Sequence, residues 1–111
     1  VATGKNRAGL DRVLESTGMK RYFHATRTAD QTFSKPHPAM LLELIDELAV
    51  SAERTLMVGD TTHDVLLAQN AGVDVVAVAF GAHPAEQLLA LQPLALMEDF
   101  AQLREWFKVN A

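Results

Sequence analysis

Residues 55–64 read Thr55-Leu56-Met57-Val58-Gly59-Asp60-Thr61-Thr62-His63-Asp64, and their order decides the fold. A short apolar run that ends in Gly59-Asp60 is a strand that stops at an acidic loop. Asp64 to Ala71 then follows a helical pattern, and Gly72 supplies a left-handed stop. Next, Val73 to Phe80 is dense in valine, with no polar alternation beyond Asp74. That is the pattern of a strand covered on both faces, as in parallel sheets. Strand, loop, helix and covered strand together predict an α/β layered fold with right-handed crossovers.

Upstream, Ser34-Lys35-Pro36-His37-Pro38 predicts a loop, because two prolines break any ladder and Pro38 can open a helix. In the helix that follows, Leu41, Leu44, Ile45 and Leu48 form the inner face opposite Glu43, Asp46 and Glu47. Asn6 to Thr17 predicts another helix, with Leu10, Val13, Leu14 and Thr17 at helical spacing and Gly18 as its stop. Tyr22 to Thr28, aromatic and β-branched, predicts a short strand. Downstream the pattern predicts a helix over Pro84–Leu91, a strand over Ala95–Met97 and a last helix from Phe100 to about Val109. Asp99 and Gln102 resemble a capping box for that last helix, and Leu103, Trp106 and Phe107 form its buried stripe.

The chain has 111 residues, the size of one domain, and no internal repeat or linker divides it. Its hydrophobic fraction of 49% and charged fraction of 22% are those of an ordinary globular chain, and no apolar run approaches the ~18 residues of a membrane span. The absence of cysteine excludes disulfides and thiolate metal sites and suits a reducing cytoplasm, the expected location. Residues 1–35 carry a net charge of +4 and residues 36–111 one of −8. This polarity suits an anion-binding end joined to a cation-binding end, or charges that simply mix on the folded surface. The small positive excess, without interleaved aromatic residues, argues against nucleic-acid binding.

Three polar clusters sit where ligands bind in parallel sheets, beyond the carboxyl ends of strands. Thr3-Gly4-Lys5-Asn6 offers a hydroxyl, a glycine and free N–H groups at a helix start, which suits phosphate or a plain helix cap. Lys35, held before proline, can act as a fixed positive charge toward phosphate or can be a solvated surface lysine. Asp60 and Asp64 lie four residues apart, so both carboxylates can face one spot. At about 4 Å they would repel by ~4 kcal/mol at an effective dielectric near 20, and a cation would relieve this. Hard oxygen ligands without sulfur favour Mg²⁺ with water and phosphate completing its shell. The competing reading makes Asp60 or Thr61 a helix cap with Asp64 in the first turn. His63 is expected to face away from the two acids, and His24, His37 and His83 are isolated from one another in sequence.

Thr3-Gly4, Lys35-Pro36 and Gly59-Asp60 with Asp64, in this order and strand context, resemble the haloacid dehalogenase (HAD) superfamily of phosphohydrolases. The run Val58 to Gly72, the valine-rich strand and Phe80-Gly81-Ala82-His83 are similar to its phosphoglycolate phosphatase-like branch. The resemblance implies a three-layer Rossmann-like parallel sheet and a Mg²⁺-dependent hydrolase of a small phosphorylated metabolite. Thr3 and the Gly4 N–H would bind the transferring phosphoryl group, and Lys35 would neutralise charge on it. Asp60 would ligate Mg²⁺ directly, and Asp64 would hold the ion through water or position Asp60. The catalytic set is then Thr3, Lys35 and Asp60, the phosphate set Thr3, Gly4 and Lys35, and the metal set Asp60 and Asp64.

The family's Asp-x-Asp nucleophile motif occurs nowhere in the chain. Residues 1–111 therefore read as the carboxy-terminal portion of a HAD-like core. The nucleophile strand and a helical cap are expected upstream of Val1, and an aspartyl-phosphate would form outside this chain. Alone, these residues are expected to be inactive. Without that strand the sheet would have an open apolar edge, which a preceding segment or another chain is expected to cover. Two alternatives stand beside this reading: a non-catalytic scaffold that has lost its nucleophile, and a receiver-type signalling module with Asp60 as phosphoacceptor. Receivers, however, place the hydroxyl and the lysine after the acceptor.

Overall fold

The computed structural model describes residues 1–81 and 83–110. Strands and helices alternate: β1 (Ala2–Thr3), α1 (Arg7–Thr17), β2 (Arg27–Thr28), α2 (Ala39–Leu48), β3 (Leu56–Gly59), α3 (Thr62–Asn70), β4 (Asp74–Val78), α4 (Ala85–Leu89), β5 (Ala95–Met97) and α5 (Phe100–Asn110). Single 3-10 turns lie at Lys20–Tyr22 and Ala52–Arg54. All pairings are parallel: β1 with β2, and β3, β4 and β5 in that order.

Alternation along β4 divides the interior into two layers. Val75 and Ala77 pack with Leu41 of α2, Val65, Leu67 and Ala68 of α3 and Leu88 of α4. Val76 and Val78 pack with Met97 of β5 and with Leu103 and Trp106 of α5 on the opposite face. The β3–β4–β5 sheet thus lies between two helical layers, the α/β architecture expected. Ala2 of β1 and Met57 of β3 join the same core cluster, and a groove of about 370 Å³ separates their strands. Val1 and Ala2 line one side and Leu56, Met57 and Val58 the other, with Leu44, Ile45 and Leu48 of α2 among its other walls.

Local chemistry sets most element ends. The Asn6 side chain accepts the Gly9 N–H at 2.7 Å to start α1, and Gly18, at φ 67°, ends it. Asp99 accepts the Gln102 N–H at 2.8 Å and Gln102 in return accepts that of Glu98 at 2.8 Å, so the cap predicted for α5 closes one residue earlier than a standard box.

Three expectations need correction. The strand expected over Tyr22–Thr28 reduces to Arg27–Thr28, because β1 offers only Ala2 and Thr3 as partners and Tyr22 stays exposed. Aromatic and β-branched residues extend a strand only where a neighbour is present to pair with them. In α5, Leu103 and Trp106 are half-buried and Phe107 is exposed, so its stripe is shallower than predicted. Leu48 is 46% exposed although it lies on the predicted inner face of α2, because it faces the groove rather than the core.

Candidate active site

The site is built at the carboxyl end of β3. Asp64 folds back over Gly59: a Cβ on Gly59 would lie 2.3 Å from the Asp64 Cβ, so only glycine fits before the acidic loop. One oxygen of Asp64 (Oδ1) accepts a hydrogen bond from the Lys35 ammonium. The other (Oδ2) accepts the backbone N–H groups of Asp60 at 3.1 Å and Thr61 at 3.2 Å and the Thr61 hydroxyl at 2.9 Å. Thr61 Oγ1 in turn accepts the Asp64 N–H at 3.1 Å, which completes a capping box on α3. Asp64 is 4% exposed. Burial by itself would raise its pKa, but the Lys35 ammonium and the Thr61 donors outweigh this and hold it below the ordinary aspartate value.

Asp60 takes a different direction. A Cβ on Gly81 would lie 2.1 Å from Asp60 Oδ2, so this carboxylate lies over the backbone just past β4. The four-residue spacing predicts that both carboxylates can face one spot. In the structure the Asp64 charge is met by Lys35, and its second oxygen holds the Asp60 backbone. The cap reading of Thr61 and Asp64 and the lysine contact thus coexist in one arrangement.

Gly4, Ala29, Ser34, Lys35, Thr61 and His63 line a hollow of about 300 Å³. Two of the predicted residues, Gly4 and Lys35, line it directly; Thr3, Asp60 and Asp64 adjoin it through their neighbours Gly4 and Thr61 and through Lys35. Thr3 Oγ1 accepts the Lys5 N–H at 3.2 Å, which turns the backbone at Gly4. The loop that carries Lys35 is tied to α3 by Asn70, whose amide donates to the Pro36 carbonyl at 3.1 Å.

Two histidines passed over in sequence stand here. His63 lines the hollow beside Thr61, on a wall that neither Asp60 nor Asp64 forms. Its place in the first turn of the helix that follows a parallel strand was the available signal. His83 accepts the Thr62 N–H on Nδ1 at 3.0 Å, and its ring meets that of His63 edge-on, with centroids 6.0 Å apart. No local signal foretells a contact between residues 21 positions apart.

This order of hydroxyl-glycine turn, lysine loop and acidic loop, on parallel strands, coincides with a family match. The model of the haloacid dehalogenase-like hydrolases covers residues 1–78. The chain belongs to this family. Within the haloacid dehalogenase-like hydrolases, it is 39% identical over 104 residues to the "Probable phosphatase IndB" of Dickeya dadantii, covering 93% of this chain and 45% of that protein. It is 46% identical over 72 residues to a phosphoglycolate phosphatase of Rhodospirillum rubrum, covering 65% of this chain and 30% of that protein. Among solved structures, a HAD-superfamily hydrolase of Geobacter sulfurreducens superposes with a TM-score of 0.77 at 28% identity, over 96% of this chain and 50% of that one. The chain therefore spans about half the length of the relatives it matches.

Proposed function

We propose that residues 1–111 supply the phosphate- and cation-binding half of a phosphomonoester hydrolase of the phosphoglycolate phosphatase type. The observation that carries this reading is the pairing of Lys35 with Asp64 beside the hollow that Gly4 also lines. Asp64 holds the lysine at the wall of the hollow, where its fixed charge can meet a phosphoryl oxygen with little reorganisation. Thr3 and the Gly4 N–H would orient the same group from the opposite loop.

Asp64 engages Lys35 with one oxygen and the Asp60 and Thr61 N–H groups with the other, so in this reading it acts on a cation through water or through Asp60, and Asp60 is the carboxylate assigned to direct contact. One carboxylate, with substrate oxygens and water, is a normal donor set for Mg²⁺. Bound there, Mg²⁺ would offset charge on the phosphoryl oxygens. Asp64 then serves as a positioning residue, because it fixes the Asp60 and Thr61 N–H groups.

The nucleophile has no counterpart among these residues. In this reading it comes from a segment outside residues 1–111 that lies as a strand in the groove between β1 and β3, where it would end beside Gly4 and Asp60. The test is release of phosphate from an aryl phosphate in Mg²⁺ by the protein that carries this chain together with its nucleophile segment. Lys35→Ala and Asp60→Asn should each lower kcat about 10²- to 10³-fold, as loss of one charge-stabilising group does elsewhere. Wild-type rates in both variants would overturn the proposal.

A further inference from the structure

We infer that His83 is a positioning residue that latches the segment after β4 onto the acidic loop and so fixes the direction of the Asp60 carboxylate. Two contacts at one place carry this. The Asp60 side chain rests on Gly81 so closely that a Cβ there would lie 2.1 Å from Oδ2. Two residues further along each segment, the Thr62 N–H donates to His83 Nδ1 at 3.0 Å. Thr62 is the first residue of α3, and its N–H lacks an intrahelical acceptor. Thr61 and Asp64 cap each other, so the Thr62 N–H is tied by a residue from a different element.

A glycine seat and a histidine tether, each two residues apart on facing segments, form a two-point clamp. The seat limits how near Asp60 may approach Gly81. The tether sets the angle at which the acidic loop meets Gly81. His83 also lies edge-on to His63, which lines the hollow. Outer partners that orient a ligating carboxylate typically alter metal affinity 10- to 100-fold when lost.

This inference rests on the proposed role of Asp60, and the experiment separates the two. Mn²⁺ is titrated into the protein while paramagnetic broadening of the Gly59–Asp64 amide signals is followed, and hydrogen exchange of the Thr62 amide is measured without metal. His83→Ala should weaken Mn²⁺ binding about tenfold and release the Thr62 amide to exchange. His83→Asn should restore both, because its Oδ1 stands where Nδ1 stood, whereas His83→Gln, whose acceptor lies one bond further out, should not. Equal Mn²⁺ affinity and equal Thr62 protection in the asparagine and glutamine variants would overturn the latch, even if the alanine variant failed to fold. Loss of binding in Asp60→Asn with none in His83→Gln would remove the latch and leave the Asp60 assignment standing. Unchanged binding in Asp60→Asn would remove the assignment itself.

Discussion

The Asp64 carboxylate is shielded from water and its charge is balanced inside the protein. Removing one member of such a buried pair costs about 3–5 kcal/mol, because the other charge and its donors are left without a partner. Asp64→Ala should therefore destabilise the protein by about 3 kcal/mol in urea denaturation. Its pKa is held below the ordinary value in the folded state, so folding gains from the ionised form. That gain is complete above the unfolded pKa of about 3.9 and is lost as pH falls through it toward the depressed folded value. Asp30, through its bonds to Thr28 and Arg7, and Glu43, through Thr32 and Arg27, are depressed as well. The difference between wild type and Asp64→Asn isolates the Asp64 part. That difference should be constant from pH 5 to 7 and shrink below about pH 4; a difference flat down to pH 2 would contradict it.

At the scale of elements, α3 shows what the sequence could and could not reveal. Its apolar pattern begins late, so periodicity opens the helix at Asp64, whereas the backbone coils from Thr62 because Thr61 caps it. The cap is visible in sequence as a threonine three residues before an acid, a signal of hydrogen bonding rather than of hydropathy. β5 was legible in full, and β4 within two residues at either end, because a run of valines covered on both faces has few other uses. β2 was overread, because its length is set by β1 rather than by its own residues. The site divides in the same way. Lys35, Asp60 and Asp64 carry their chemistry in residue type and order, whereas His83 acts only through a contact the fold creates. Thr61→Ala should cost about 1 kcal/mol by removing the cap to the Asp64 N–H. Thr61→Ser should keep most of that stability, since the hydroxyl is what matters; equal midpoints for the two variants in urea would contradict the cap.

At the scale of the whole molecule, the groove between β1 and β3 is a feature that the core does not explain. β1 pairs only with β2 and β3 only with β4 among the described residues, so two parallel edges face one another across it. Leu48, Val50 and Val58, 46%, 45% and 38% exposed, line it with apolar surface. Unpaired edges beside exposed apolar side chains are a template for pairing with another chain. Residues 1–111 by themselves should therefore associate as concentration rises, which sedimentation velocity between micromolar and near-millimolar concentrations would show. A charge placed on each wall, Leu48→Glu with Val58→Lys, should shift the distribution toward monomer, because both groups would lose water on association. The double variant should leave the Lys35–Asp64 pair and the α3 cap intact, and the Thr61 and Asp64 amide signals report on that. A stable monomer of residues 1–111 at every concentration would mean that the edges are closed by their own twist. The strand assigned to the groove would then have no open ladder to join.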